Sequence, residues 1–440
     1  MTGNHKLSIL VLTFNGRKHL ESCLPAVQAQ QAPGVDWELL LLDNGSHDGT
    51  ADWVRRNHPW VRLVESATNL GFCAGNNRLA EIAEGDALVL LNNDARPDPG
   101  WLAALADAHG AAAPDVAAIG GRIVDWEGGR LDFGYGIRTF DGHGFQLDFG
   151  RPLTGARRPE SGEELAFACG GNMLVRRRSF LAAGAFDERY FAYLEDVDLG
   201  WKLWAGGERI VACSDAVVRH RSAGTSARLG SFRRGFLFER NALLTAHKNL
   251  DDDLWPKLMP AILVTFMARI EALVVAGNPG AELLRFDPLA ESLTHRLGER
   301  GGAFTGESWR EKIGRYGAAE FARRATHRAT RSLRALGRAL IGNRDSFLLD
   351  HPQAVAHLRA MSLFLATLDE AGAGREFARR RRRISDRELC ERFPFYLVPT
   401  YLGDEALFAS AGFKALLPET PVLVRAELDA IVQPAKKRVE

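Results

Sequence analysis

The amino-acid sequence predicts an α/β domain with a mostly parallel central sheet in residues 1–250, followed by a mainly α-helical domain in residues 251–440. Short, continuous apolar runs alternate with helix-like stretches through the first part, which is typical of parallel strands covered on both faces. After about residue 250, helical patterns continue without further alternation, so we place the domain boundary at residues 251–253. A length of 440 residues also exceeds what one hydrophobic core usually supports.

Four apolar runs, separated by helix-like stretches, predict the first strands of the sheet. They occupy residues 7–14, 37–42, 61–64 and 87–91. The helices between them are predicted at residues 17–30, at residues 48–57 and from about Gly71. Pro97 and Pro99 then break the chain before a helix that begins at Trp101. Residues 128–162 are rich in Gly, Asp and Arg and predict a long, partly ordered excursion, after which strands return at residues 170–175 and 209–218.

Composition excludes several classes of protein. The 56 basic and 55 acidic residues nearly balance, which argues against a general nucleic-acid binder. The cysteines are scattered and form no Cys-x-x-Cys pair, so we expect reduced, buried thiols and a cytoplasmic protein: Cys23, Cys73, Cys169, Cys213 and Cys390. The N-terminus lacks the apolar core of a signal peptide, and the most apolar stretch, residues 258–276, is broken by Pro260, Arg269 and Glu271.

Polar side chains follow every strand of the predicted sheet at the edge where open α/β sheets bind ligands. They are Thr13 and Asn15 after the first strand, Asp43 after the second, Asn69 after the third, and Asn92, Asn93 and Asp94 after the fourth. Each segment alone could be a turn or a helix cap, but four at one edge predict a ligand site. A dinucleotide dehydrogenase is disfavoured because no Gly-x-Gly-x-x-Gly follows the first strand.

Two acidic segments are the candidates for chemistry. Asp94 ends an apolar strand, where a carboxylate suits a divalent cation such as Mg²⁺ or Mn²⁺. Glu195 and Asp196 lie in the first turn of a predicted helix. Acidic residues also occur there for structural reasons alone, because the helix dipole favours negative charge and a pair such as Asp198–Lys202 stabilises an ordinary helix. His220 follows a strand-like run and is a further candidate for binding the metal or a diphosphate.

Taken in order, these segments resemble the inverting glycosyltransferases of family 2, which have the nucleotide-sugar-binding GT-A fold, and in particular their rhamnosyltransferase-like branch. The resemblance covers roughly residues 7–250 and is carried by residues 8–15, 41–50, 69–77, 91–95, 170–175, 184–188, 194–204 and 217–220. It implies a Rossmann-like catalytic domain over residues 1–250.

The resemblance also implies a role for each candidate. The residues implied to bind the nucleotide sugar are Thr13, Asn15, Asp43, Asn69, Asn76, Asn92 and Asn93. Asn92 and Asp94 stand where the family carries its Asp-x-Asp motif, so Asp94 is implied to bind Mg²⁺ or Mn²⁺, together with His220. Asp196 matches the catalytic base and Glu195 supports it.

The implied reaction transfers a sugar from a nucleoside-diphosphate sugar to a hydroxyl of a glycan or lipid-linked acceptor. By resemblance, deoxythymidine-diphosphate rhamnose or a uridine-diphosphate sugar is the expected donor, and a bacterial surface polysaccharide the expected product. Two alternatives remain open. One is a non-catalytic nucleotide-sugar-binding scaffold in a glycan assembly complex, and the other is a metal-dependent nucleotidyltransferase, although no Gly-rich phosphate loop is present.

The second half predicts a surface role. Five arginines recur at helical spacing: Arg324, Arg328, Arg331, Arg334 and Arg338. With residues 258–276 and the basic run at residues 379–383, they predict peripheral contact with the inner face of the cell membrane or with a lipid-linked acceptor. The alternative is a helical domain, or an oligomer contact, with a solvated basic face.

Overall fold

The computed structural model describes residues 6–221, 230–274, 352–401, 403–418 and 423–426. Their core architecture is a nine-stranded mixed sheet with packed helices, joined by a smaller four-stranded sheet. The described part after residue 250 is mainly helical. Both features agree with the fold class predicted from the sequence.

Parallel strands form one side of the large sheet, because each apolar run is followed by a helix that returns the chain to the same edge. The strands are β1 (Lys6–Thr13), β2 (Asp36–Asp43), β3 (Arg62–Glu65) and β4 (Ala87–Asn92), in the spatial order β3-β2-β1-β4. The connecting helices are α1 (Arg17–Gln28), α2 (Thr50–Asn57) and α3 (Gly71–Ile82). Ile9, Leu40 and Val89 in the three longer strands are fully buried, as continuous apolar runs require.

The other side of the sheet mixes strand directions. Its strands are β5 (Ala95–Pro97), β6 (Val116–Asp125), β7 (Leu131–Phe133), β10 (Asn172–Arg176) and β11 (Arg209–His220). Between β7 and β10 in the chain, β8 (Gly136–Thr139) and β9 (Gly144–Gln146) belong to the smaller sheet. The helices are α4 (Trp101–Ala111), α5 (Arg177–Ala182) and α6 (Glu195–Ala205). β10 runs antiparallel between β4 and β6 and so joins the two sides. β11 is parallel to β6 and antiparallel to β5, which brings His220 opposite Ala95.

The predicted excursion contains more regular structure than its composition indicated. β7 adds to the large sheet through β6, while β8 and β9 belong to the four-stranded sheet. Phe133, Phe140 and Asp148 in this segment are almost completely buried. Turn-forming residues here connect short strands instead of forming a loose loop.

The helical region packs against the same core. Its helices are α7 (Gly230–Asn249), α8 (Leu254–Val274), α9 (Pro352–Ala366), α10 (Leu368–Arg381), α11 (Asp386–Arg392), α12 (Asp404–Ala409) and α13 (Ala411–Leu416). β12 (Phe395–Leu397) pairs with β8, and β13 (Leu423–Arg425) pairs with β12. One cluster of buried apolar side chains extends from Leu7 in β1 to Phe413 in α13. The domain boundary at residues 251–253 stays a prediction, but packing contacts cross it.

The basic stripe at residues 324–338 lies outside the described residues. Within the part of the chain that the structure describes, we find no helix with the length and apolar character to cross a membrane.

Candidate active site

A cavity of about 940 Å³ opens at the carboxyl ends of the parallel strands. Its walls come from the ends of β1 and β4, the start of α3, the excursion around β7 and β9, the start of α6, and α7. This is the edge at which the sequence predicted a ligand site.

Eight of the predicted site residues line this cavity: Asn69, Asn76, Asn92, Asn93, Asp94, Glu195, Asp196 and His220. The two acidic segments, about a hundred residues apart in sequence, therefore face one space. Thr13, Asn15 and Asp43 do not line it, but Asn93 Nδ2 donates a hydrogen bond of 2.9 Å to Thr13 Oγ1. Their nucleoside contacts stay predictions.

Hydrogen bonds hold the loops that follow β1, β2 and β3 in place. Asp43 Oδ1 accepts from the backbone N–H of Ser46 at 2.9 Å, and Ser46 Oγ accepts from that of Asn15 at 2.8 Å. Asn44 Nδ2 donates to Asn69 Oδ1 at 2.9 Å, while Asn44 Oδ1 accepts from the backbone of Leu70 at 2.8 Å. Asn44, which was not singled out in the sequence, lines the cavity beside Asn69. The loops after β2 and β3 are thus tied together before any ligand arrives.

Asp94 lies directly against His220. Asp94 Oδ1 is 3.1 Å from His220 Nε2, and Asp132 Oδ2 in β7 is 2.9 Å from His220 Nδ1. Burial alone would lower the pKa of His220, but the hydrogen bonds with Asp132 and Asp94 outweigh it and raise the pKa to about 10. Burial would likewise raise the pKa of Asp94, yet the contact with His220 keeps it below the usual value. The pair is therefore ionised at neutral pH.

These residues fit a divalent ion that is shared with the substrate. Mg²⁺ is usually held by one or two protein carboxylates together with phosphate oxygens, rather than by a cage of protein ligands. Asp94 and His220 offer two adjacent ligand atoms, and Asn92 in the same wall adds an amide. Across the residues that are described, no group of three or more His, Cys, Asp or Glu side chains is arranged to hold a metal by itself.

Asp196 is held at the start of α6 by backbone donors. The N–H of Val197 donates to Asp196 Oδ1 at 2.9 Å, and that of Gly170 donates to Oδ2 at 3.3 Å. Burial raises the pKa of Asp196 despite these bonds and a further one from the Cys169 thiol. A carboxylate with a raised pKa that faces a cavity suits a general base.

Glu195 is the more buried member of this acidic pair. Only 7% of its surface is exposed, and Oε2 has no hydrogen-bond partner among the described residues. Burial, followed by the charge of Asp196, raises the pKa of Glu195 further than that of Asp196. The two carboxyls titrate as a pair, and the stronger effect of burial on Glu195 favours a bound proton there over Asp196.

The structural explanation for acidic residues in α6 also holds, but for Asp198. This carboxylate is fully buried and lies 3.0 Å from both Lys202 Nζ and Lys248 Nζ. Asn249 Nδ2 donates to it at 2.8 Å. Asp198 anchors α6 on α7, while Glu195 and Asp196 in the same first turn face the cavity.

Several residues of the cavity were missed in the sequence. An aromatic wall consists of Phe133, Phe145, Phe149, Phe167, Phe238 and Tyr401. The Tyr401 hydroxyl donates to buried Glu239, and the guanidinium of Arg269 lies 4.6 Å from the centre of its ring. Cys169 also lines the cavity and is only partly buried, so the expectation of buried cysteines holds for the other four. Nothing in the local sequence around Tyr401 indicates this position.

Comparison with known proteins assigns the family. The family model described as glycosyl transferase family 2 matches residues 8–182. Over 242 residues the chain is 33% identical to the N-acetylglucosaminyl-diphospho-decaprenol L-rhamnosyltransferase of Mycobacterium tuberculosis, covering 50% of this chain and 78% of that protein. It is 32% identical over 234 residues to the O-antigen biosynthesis protein RfbC of Myxococcus xanthus, covering 51% of this chain and 18% of that protein. The chain belongs to glycosyltransferase family 2, and the resemblance seen in the sequence is confirmed.

Solved structures show weaker likeness. GalNAc-T7 with UDP, GalNAc and Mn²⁺ aligns with a TM-score of 0.46 and 15% identity, over 60% of this chain and 52% of that one. The mannosyltransferase PcManGT of Pyrobaculum calidifontis, in complex with GDP-Man and Mn²⁺, gives a TM-score of 0.42 and 20% identity over 64% and 79%. The GT-A fold rests on the family match and on the mixed sheet described above.

Proposed function

We propose that this protein is an inverting, metal-dependent glycosyltransferase of surface polysaccharide biosynthesis. The donor is a nucleoside-diphosphate sugar, and deoxythymidine-diphosphate rhamnose or a uridine-diphosphate sugar is the donor we expect. The acceptor is a hydroxyl of a glycan or lipid-linked glycan. One observation carries the proposal: Asp196 and the Asp94–His220 pair line the same cavity at the sheet edge where this family binds its donor. The rhamnosyltransferase and the O-antigen protein that match this chain support the choice of donor and pathway class.

The mechanism is a single displacement. Asp196 takes the proton from the acceptor hydroxyl as that oxygen attacks the anomeric carbon of the donor. The bond from that carbon to the diphosphate breaks, so the sugar inverts and the nucleoside diphosphate leaves with the electron pair. Asp94 and His220 would hold a Mg²⁺ or Mn²⁺ ion, which would offset the negative charge on the leaving diphosphate.

The remaining residues of the site orient the reactants. The hydrogen-bonded loops at Asp43 and Asn69 present a preformed surface to the nucleoside, which reduces the entropy lost on binding. The aromatic wall lies on the side that includes Phe238 and Tyr401, where rings can stack on the apolar faces of acceptor sugars. Glu195 supports Asp196, and its Oε2, which lacks a hydrogen-bond partner within the described part of the chain, is placed to meet a sugar hydroxyl.

A donor panel tests the reaction. The protein is incubated with nucleotide sugars and a set of acceptors that includes polyprenyl-diphosphate glycans, with Mn²⁺, with Mg²⁺, or with a chelator, and release of nucleoside diphosphate is measured. We expect metal-dependent turnover that is lost in Asp196→Asn and kept in Asp52→Asn, which neutralises an exposed carboxylate on α2. Donor binding without turnover on any acceptor would instead support the non-catalytic scaffold. Release of free sugar phosphate and transfer of the nucleotide would support a nucleotidyltransferase.

We also propose that the protein contacts the inner face of the membrane peripherally. Arg379 and Arg380 at the end of α10 are exposed and could meet anionic headgroups, although both also pair with Glu376. Flotation with vesicles that contain anionic lipid tests this, and we expect binding to fall when both arginines are changed to glutamate. Equal flotation of the two proteins would reject the contact.

A further inference from the structure

Both nitrogens of the His220 imidazole lie within hydrogen-bond distance of a carboxylate. Nε2 faces Asp94 Oδ1 at 3.1 Å, and Nδ1 faces Asp132 Oδ2 at 2.9 Å. Asp94 is one of the residues expected to bind the metal, whereas Asp132 has no role in the proposed function so far. Both carboxylates line the cavity.

Backbone pairing brings these three residues together from distant parts of the chain. β11 pairs with β5 so that His220 lies opposite Ala95, the residue after Asp94. β11 also pairs with β6, where His220 is opposite Asp125, and β6 in turn pairs with β7, which carries Asp132 at its centre. The position of Asp132 beside the ring is thus set by the sheet and not by a loop.

Asp132 is buried to a degree that carboxylates rarely reach without a charged or hydrogen-bonding partner. Only 6% of its surface is exposed. Asp148 on the same excursion is also buried, but it pairs with Arg151 and Arg157 and does not line the cavity. Asp141, the third buried aspartate of the excursion, likewise pairs with Arg269, so Asp132 is the one of the three that lines the cavity.

We propose that Asp132 is a positioning residue that accepts the Nδ1–H of His220 and so fixes the ring with Nε2 directed at Asp94 and the bound metal. This inference rests on the proposed function, because it assigns a purpose to the Asp94–His220 pair. Histidines that bind a metal through one ring nitrogen commonly donate a hydrogen bond from the N–H of the other nitrogen to a carboxylate. This hydrogen bond fixes both the tautomer and the direction of the ring. Here that carboxylate comes from a strand in the part of the chain that showed no motif.

The arrangement also explains why two protein ligands suffice. A histidine that can rotate would lose part of its affinity in orienting the ring each time a metal binds. With Nδ1 held by Asp132, Nε2 already faces the position beside Asp94, and it would release its proton when a metal binds there. Asp132 thereby compensates for the amide of Asn92, which stands where the family pattern has a second carboxylate.

The test uses the full-length chain and measures binding of Mn²⁺ by calorimetry in the presence of saturating nucleoside diphosphate. Three variants are compared with the wild type: Asp132→Ala, which removes the acceptor; Asp132→Asn, which keeps an oxygen acceptor without the charge; and Asp148→Asn, the matched buried control. We expect Asp132→Ala to weaken Mn²⁺ binding about 10- to 100-fold, with Asp132→Asn in between and Asp148→Asn close to the wild type. Circular dichroism establishes that each variant is folded.

A second readout reports on the ring itself. In protein with ¹⁵N-labelled histidine, the His220 signals are identified by their loss in His220→Gln, and Mg²⁺ with nucleoside diphosphate is used to avoid paramagnetic broadening. We expect the wild type to show a proton on Nδ1 and none on Nε2, and Asp132→Ala to show a mixture of tautomers. A merely structural Asp132 would leave this pattern unchanged.

The outcomes separate this inference from the proposed function. A folded Asp132→Ala that binds Mn²⁺ like the wild type, or a loss in Asp148→Asn as large as in Asp132→Ala, overturns the positioning role alone. Tight Mn²⁺ binding and the expected tautomer without any sugar transfer would overturn the proposed reaction and leave the role of Asp132 standing. A wild type that binds no metal with nucleoside diphosphate overturns both.

Discussion

Replacing Arg269 by methionine should destabilise the whole protein strongly and in a pH-dependent way. Arg269 in α8 is 2% exposed and lies 2.8 Å from Asp141 in the excursion and 3.0 Å from Asp404 in α12. Methionine fills a similar volume but removes the cation that these two buried carboxylates share. Removing one partner of a buried pair costs about 3–5 kcal/mol in general.

The structure sets the size of the loss. A carboxylate that is left without its cation can take up a proton, which at pH 7 costs about 4 kcal/mol from an ordinary pKa near 4, and at pH 5 about 1.5 kcal/mol. His143 lies 3.0 Å from Asp141 and continues to compensate it in the variant, so Asp404 carries most of the penalty. We therefore expect a loss of about 3–4 kcal/mol in the free energy of unfolding at pH 7 and a clearly smaller loss at pH 5.

The assay is urea denaturation at both pH values, followed by fluorescence and circular dichroism. Arg55→Met is the matched control, because Arg55 forms ion pairs with Asp52 and Glu65 at the exposed surface, and such pairs contribute about 0–1 kcal/mol. A loss below 1 kcal/mol in Arg269→Met at pH 7, or a loss that grows toward pH 5, would refute the reasoning.

Three further predictions concern activity. Asp196→Asn should lower kcat by about 10²- to 10⁴-fold with little change in donor affinity, and an unchanged kcat would remove Asp196 as the base. Burial raises the pKa of Asp196, and the base must be ionised to act. We therefore expect kcat/KM to fall as the pH decreases, with a midpoint above the ordinary pKa of aspartate, which is about 4. A midpoint at or below that ordinary value would contradict the assignment. Tyr401→Phe should leave the acceptor KM unchanged but lower the free energy of unfolding by about 1–3 kcal/mol, because Glu239 loses a hydrogen bond. Tyr401→Ala, which also removes the ring, should raise the acceptor KM. Equal acceptor KM values for the two variants would exclude a role of the ring.

The sequence was sufficient for the half of the site that lies on parallel strands. Strand ends at Asp43, Asn69 and Asp94 could be located because apolar runs with helices between them have one common arrangement, with all carboxyl ends at one edge. The acidic pair of α6 could also be found, since it lies off the apolar stripe that the helical spacing of Leu194, Val197, Trp201 and Trp204 predicts.

The other half could not be predicted because it depends on pairing between distant, short strands. Asp132 sits on a strand of three residues within a Gly- and Asp-rich segment, and only its register with β6 and β11 brings it to His220. Tyr401 reaches the cavity only because β12 pairs with β8, more than 250 residues earlier in the chain. Such contacts leave no periodicity, and local propensity does not encode them. The Asp198–Lys202 pair could be proposed from its spacing within α6, whereas the contact of Asp198 with Lys248 in α7 could not.

The contacts across residue 250 change how the membrane hypothesis should be tested. Removing the chain after that residue would take away β12 and with it the parallel partner of β8. It would also remove the buried Arg269–Asp404 pair, and it would take the Tyr401 ring out of the cavity wall. A shortened protein would then expose the apolar side of the excursion and could bind vesicles through that surface alone. Changes of single charges on α10 leave this packing intact, because Arg379 and Arg380 are solvent-exposed and pair only at the surface among the described residues. If reversing these two charges lowers flotation while sugar transfer to a soluble acceptor is unchanged, the exposed end of α10 acts in membrane contact and not in the structure of the site. A parallel loss of flotation and of sugar transfer would instead show that the end of α10 helps to shape the cavity.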